Sequence, residues 1–179
     1  MSNIHTSAAT GDAAAEITSE LLNAATCEQV SDAIKAAGAA VTRIEQDGVV
    51  HLHSASHGIG FQVLWGNEIA PEHYTDFTLS SPLRVQGGAL PAGLIDAWNR
   101  SKRFARVSHH GDFVVLEMDV LLAGGVSASH IVVSLQLWMQ MMGQFFLFLR
   151  NYQPDSIPQL GEERAPTTVA KEKATAVAE

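Results

Sequence analysis

The chain has 179 residues, of which 46% are hydrophobic and 17% charged, with a formal net charge of -8 and a pI near 5.4. That length fits one core with spare chain at the ends, and its apolar content offsets the entropy of ordering that core, so global disorder and a second full domain are excluded. An acidic chain repels phosphate backbones, which excludes sequence-blind nucleic-acid binding.

The single cysteine, Cys27, forms no intrachain disulfide, and the opening residues have neither a basic region nor an apolar run of signal-peptide length. Both features predict a cytoplasmic protein. Residues 1–22, rich in Ala, Ser and Thr, read as a flexible tail with at most a short helix over 13–23. Residues 153–179, rich in Pro, Ala, Glu, Lys and Thr, read as a disordered tail, which leaves 23–152 as the domain.

Thr26 and Gln29 have the spacing of a capping box. Val30, Ala33, Ile34 and Ala37 then recur at helical spacing until Gly38, which suits a left-handed stop. From Ala40 the period falls to two. The runs 40–44, 49–53 and 59–65, punctuated by Asp47-Gly48 and Gly58, predict an antiparallel meander. A fourth extended segment covers 74–83, where Pro82 requires a sheet edge or an exit.

Pro91 suits the first turn of a second helix whose inward residues are Leu94, Ile95 and Trp98. The runs 103–108 and 113–121 predict a hairpin around 109–112, pairing Lys102 with Asp119, Phe104 with Glu117 and Arg106 with Val115. In that register Lys102, Arg106, Glu117 and Asp119 share one face, with Arg106 diagonal to Glu117. Gly124-Gly125 ends the strand and Ser127 caps the next helix. The uncharged stretch 131–149 approaches the length of a membrane span, but Gln136, Gln140 and Gln144 form a narrow polar face, so it reads as a buried amphipathic helix. Its wide apolar arc predicts that two copies bury the surplus between them.

Three motifs carry a family resemblance: Ala97-Trp98-Asn99-Arg100-Ser101-Lys102-Arg103-Phe104, Leu116-Glu117-Met118-Asp119 and Gly124-Gly125-Val126. With the helix from Ala24 to Gly38, they resemble the YbjN-like family of bacterial sensory transduction regulators over residues 22–152. The resemblance implies an α+β fold similar to type III secretion chaperones, with antiparallel sheet and flanking helices in the order α-β-β-β-α-β-β-α. It also implies a non-enzymatic regulatory or chaperone-like module that binds a protein partner, often as a homodimer; no cofactor is expected, and the charge and the polar face of 131–149 argue against nucleic acid and membrane as partners. The sequence departs from the family pattern after Trp65, where Trp65-Gly66-Asn67 stands in place of the Tyr-Gly-Cys strand end of many relatives.

The most distinctive candidate group is Trp98, Asn99, Arg100, Arg103, Phe104, Arg106, Glu117 and Asp119. Nearby cations favour ionised carboxylates over proton transfer, so the charges read mainly as structural pairs, with Arg100 and Arg103 available to an anionic or acidic partner. His51, His53 and His57 form an H-x-H-x-x-x-H pattern, which supports an alternative reading as a metal site or a small metal-dependent enzyme. Val50 and Leu52 should face the core, however, leaving His51 and His53 on the wet side. His109 and His110 fall at a hairpin tip, and Cys27 reads as a small packed residue at a helix start. A third alternative is membrane association through 131–149.

Overall fold

The computed structural model describes residues 21–154 apart from 86 and 88; all but two residues of each predicted tail, and most of the possible helix over 13–23, lie outside the described residues. The elements are α1 (Cys27–Ala36), β1 (Val41–Gln46), β2 (Val49–Ser56), β3 (Ile59–Trp65), β4 (Glu68–Ala70), β5 (His73–Tyr74), β6 (Asp76–Arg84), α2 (Leu94–Ser101), β7 (Arg106–His110), β8 (Phe113–Leu121) and α3 (Ala128–Asn151). Six strands form one antiparallel sheet in the order β1-β2-β3-β6-β8-β7. The fold is α+β, as predicted. Four of the main strands precede α2, and a small β4–β5 hairpin is added between β3 and β6.

Local chemistry sets most boundaries. The Thr26 hydroxyl accepts from the Gln29 amide N–H at 3.2 Å while the Thr26 N–H donates to Gln29 Oε1 at 2.9 Å, which closes the capping box. The tight turns β1–β2 and β2–β3 place Asp47-Gly48 and His57-Gly58 at positive φ, the geometry that matches strand twist in two-residue hairpins. Pro82 has no N–H for a ladder. The β3 ladder accordingly stops at Gln62↔Ser80, while β6 and β8 remain paired to Arg84↔Phe113.

The sheet has two unlike faces. The row Leu52, Val63, Leu79 and Met118 is buried, and the helices pack on that side. On α3, Ile131, Leu135, Trp138, Met142 and Phe145 form the inward stripe, with Trp138 edge-on to Phe61. By length and composition α3 could cross a membrane, yet that stripe is buried against protein. Leu22, at the border of the predicted tail, exchanges two backbone hydrogen bonds with Val126 and so joins the entry of the domain to the entry of α3.

The departure after Trp65 is a structural knot. Trp65 Nε1 donates to the Val50 carbonyl at 2.7 Å, and the ring stacks on Tyr74. Asp76 accepts from the Asn67 side-chain amide (2.8 Å), the Asn67 N–H (3.3 Å) and the Thr75 hydroxyl (2.9 Å). The Asn67 side-chain hydrogen bond, helped by Thr75 and the Asn67 N–H, holds its carboxyl below the usual aspartate range. Gly66 leaves room for this. A Cβ there would lie 1.7 Å from Asp76 Oδ1 and 2.8 Å from its carbonyl oxygen.

Gly66→Ala should therefore cost about 1–3 kcal/mol in urea unfolding, because backbone as well as side chain must move. The lowered Asp76 pKa makes a second prediction. A carboxyl depressed on folding contributes stability above its unfolded pKa of about 3.9 and loses it as pH falls through the folded value. Asp76→Asn should be less stable than the parent at pH 7, and the two unfolding midpoints should converge as pH drops below about 4. A gap of constant size down to pH 2 would show that the charge of Asp76 is not the stabilising feature.

Candidate functional site

The candidate residues separate into three groups. Trp98 and Asn99, at the end of α2, fasten that helix to the outer edge of β7. Trp98 is fully buried, its rings edge-on to Phe145 and Phe148, and its Nε1 donates to the Ala105 carbonyl at 3.0 Å. Asn99 Nδ2 donates to the Val107 carbonyl at 3.0 Å, and the Val107 N–H donates to Asn99 Oδ1 at 2.9 Å. One side-chain amide thus supplies at Val107 both hydrogen bonds that a neighbouring strand would give, blocking strand pairing at that point of the edge.

Arg106, Glu117 and Asp119 lie on the sheet face away from the helices. The predicted register is two residues off: Arg106 pairs with Glu117, Val107 with Leu116 and Ser108 with Val115. The cause is local. Phe104 takes φ 72, which breaks the extended run and delays β7 to Arg106, and the turn falls at Gly111-Asp112. A shift of two preserves the face, so the charges still meet, but Arg106 is directly opposite Glu117 and reaches diagonally to Asp119. Its Nη1 and Nη2 donate to the two Asp119 oxygens, its Nε lies 3.5 Å from Glu117, and the Thr78 hydroxyl donates to Asp119 at 2.7 Å. The Arg106 hydrogen bonds hold the Asp119 carboxyl below its ordinary range, and the same contact raises Arg106 further. A carboxylate so held stays ionised and suits an ion-pair brace better than proton transfer.

Lys102 is not in β7. It follows α2, donates from Nζ to Gln144 Oε1 at 3.3 Å, and lies 5.8 Å from the Trp98 ring centroid. With Arg100, Arg103 and Phe104 it borders two adjoining hollows between the end of α2 and α3, which share Ser101, Lys102 and Gln144. The larger, about 680 Å³, is lined by Arg100, Leu147, Phe148 and Tyr152 among others; the smaller, about 330 Å³, by Arg103, Phe104, Leu137 and Met141 among others. Together they make one groove with an apolar floor and a basic rim. Leu147 is 52% and Phe104 61% exposed, and the Arg103 guanidinium lies 5.1 Å from the Phe104 ring centroid. Among the described residues, none of Arg100, Lys102 and Arg103 makes an ion pair.

The sequence reading missed the α3 side of this groove. Leu137, Gln144, Leu147 and Phe148 recur at helical spacing, but periodicity alone does not tell which flank of so apolar a helix is left beside α2. Tyr152 was also missed; its hydroxyl donates to the Ala92 carbonyl at 2.8 Å, which fixes where the chain leaves α3.

The histidines do not converge. His51 and His53 are on the face away from the helices, while His57, at its turn, places its ring over Gly143 of α3, where an added Cβ would meet it at 3.1 Å. Among the described residues no group of three or more His, Cys, Asp or Glu is placed to hold a metal ion. Cys27 is buried, and that burial, with Glu72 nearby, raises its thiol pKa rather than activating it.

No curated protein matches the chain. Residues 26–151, from the cap of α1 to the end of α3, match the family model YbjN, whose description is "Putative bacterial sensory transduction regulator". That span is well over half of the chain and contains the α2–β7 junction, the ion-paired face and the α3 groove wall. The chain belongs to the YbjN family.

Proposed function

We propose that this protein is a non-enzymatic regulatory module of the cytoplasm that binds an acidic, partly apolar segment of a protein partner in the groove between α2 and α3. The observation that carries the reading is the charge contrast. The chain as a whole is at -8, yet Arg100, Lys102 and Arg103 rim an apolar hollow with no carboxylate paired to them among the described residues. Unpaired guanidiniums beside exposed Leu147 and Phe104 suit a ligand that brings carboxylates and an aliphatic or aromatic anchor together. The family's regulatory description agrees with a role exercised through binding.

The chaperone-like reading is a special case in which the bound segment is held until it is delivered. Homodimer formation is supported by a separate feature. No charged residue interrupts 131–149, and Val133 on the outer side of α3 is 59% exposed, a surface that a second copy would cover.

Two measurements test these proposals. A fluorescein-labelled peptide of alternating Glu and Leu serves as the acidic probe in anisotropy titrations. Arg100→Ala combined with Arg103→Ala should weaken binding roughly tenfold, with thermal unfolding unchanged, since both are rim charges of small stabilising value. Asn99→Ala should instead lower stability by about 1–3 kcal/mol by leaving the Val107 groups unpaired. Equal probe affinity in parent and double variant would remove the groove reading. Light scattering after size exclusion at micromolar concentration should give twice the chain mass, with Val133→Glu shifting it to the monomer; a monomeric parent would remove the dimer.

A further inference from the structure

We propose that the first occupant of the α2–α3 groove is the chain's own segment 155–163, which covers the basic rim in cis and must be displaced by a partner. This rests on the groove reading above and adds the identity of one ligand. The first argument is position. The last described residues, 152–154, follow α3 directly, Tyr152 and Gln153 line the larger hollow, and the Tyr152 hydroxyl is anchored to the Ala92 carbonyl. The continuing chain therefore emerges at the groove's own end.

The second argument is chemistry. Segment 155–163 reads Asp-Ser-Ile-Pro-Gln-Leu-Gly-Glu-Glu and contains Asp155, Glu162 and Glu163 with no basic residue. It supplies the two ingredients the groove selects, carboxylates for Arg100, Lys102 and Arg103 and aliphatic side chains, Ile157 and Leu160, for the floor near Leu147 and Phe148. Net acidity outside the segment does not replace it, because surface charges more than about 8–10 Å apart are largely screened at physiological salt.

The third argument is reach. From the end of α3 back to Gln140 beside Arg103 is about 12 residues of helix, or about 18 Å along its axis. Nine residues in extended form span up to about 30 Å. Glu162 and Glu163 therefore reach the Arg103 end of the groove without α3 having to unwind. A short tether also gives an effective concentration in the millimolar range, so a contact too weak to capture a free peptide still fills the groove in cis. A second copy is a poorer occupant, since its own Arg100, Lys102 and Arg103 would bring like charges toward the same hollow.

The test uses the full chain. A nitroxide is attached at Ala165→Cys, just beyond the segment; Cys27 is only 3% exposed, so labelling is directed to the new thiol. The amide signals of Ser101 to Phe104 and of Leu147 should broaden at low salt and recover at 0.5 M salt or when Asp155→Asn, Glu162→Gln and Glu163→Gln are introduced. In the anisotropy titration, the same neutralised chain should bind the Glu/Leu probe at least threefold more tightly than the parent. Absence of broadening at those amides would overturn the inference. So would broadening of an isotope-labelled, nitroxide-free chain mixed with the labelled one, since that places the segment on a neighbour. Tight probe binding that is equal in both chains would overturn the cis contact while leaving the groove reading intact, and failure of both chains to bind the probe would remove the two together.

Discussion

The packing of α3 on one face of the sheet is the constraint on which the rest depends. Trp138, Met142 and Phe145 are fully buried, and Phe145 also meets the ring of Trp98. The seat of α2 is therefore set by α3 and by β7 together. Large aromatic side chains dominate such a core because each removes much apolar surface from water and packs in few orientations. The groove is a consequence of this arrangement. It forms where α2 ends and the polypeptide turns at Phe104 toward β7, while α3 continues past it to Asn151.

Sheet edges give a second view of the same junction. A six-stranded sheet has two outer strands, β1 and β7, and the chain treats them differently. β1 is exposed along most of its length and carries Arg43 and Glu45, charges that disfavour edge-to-edge association. β7 is capped at Val107 by the Asn99 amide. The Trp98-Asn99 pair thus has a structural explanation that does not call on a ligand, whereas Arg100 and Arg103, one and four residues further along, have no comparable partners among the described residues. A sequence motif that looks like one unit divides between holding the fold and presenting charge.

Where local chemistry determines the outcome, the sequence is legible. The capping box at Thr26, the turns at Asp47-Gly48 and Gly58, the break at Gly124-Gly125 and the span of β8 from Phe113 to Leu121 follow from residues within a few positions of each other. The β7 register does not, because Phe104 takes a positive φ in a tight turn where the Ala105 N–H donates to the Arg103 carbonyl and the Ala105 carbonyl accepts from Trp98 Nε1, a conformation that such a residue rarely adopts. The β4–β5 hairpin escaped for a similar reason: strands of three and two residues carry almost no periodic signal. Of the candidate site, the cationic half was visible as a cluster in the sequence, but Leu147, Phe148 and Tyr152 are distant in the chain and look like any other apolar helix positions.

The charge distribution connects fold to regulation. Among the described residues, Arg100, Lys102 and Arg103 have no carboxylate partner although the chain has a formal charge of -8, and so forgo the modest stabilisation an ion pair would bring, whereas Arg106 on the opposite face is given two acidic partners. The difference lies in what the pairs do. Arg106 braces β7 against β8, where its charge is neutralised and its geometry fixed by Asp119 and Glu117. Around the groove, neutralisation by a fixed internal partner would fill the hollow that the cations rim. Under the proposed cis contact, carboxylates on a tether would satisfy the cations when no partner is present and would yield them to one that competes successfully, so that one electrostatic contact would serve both states.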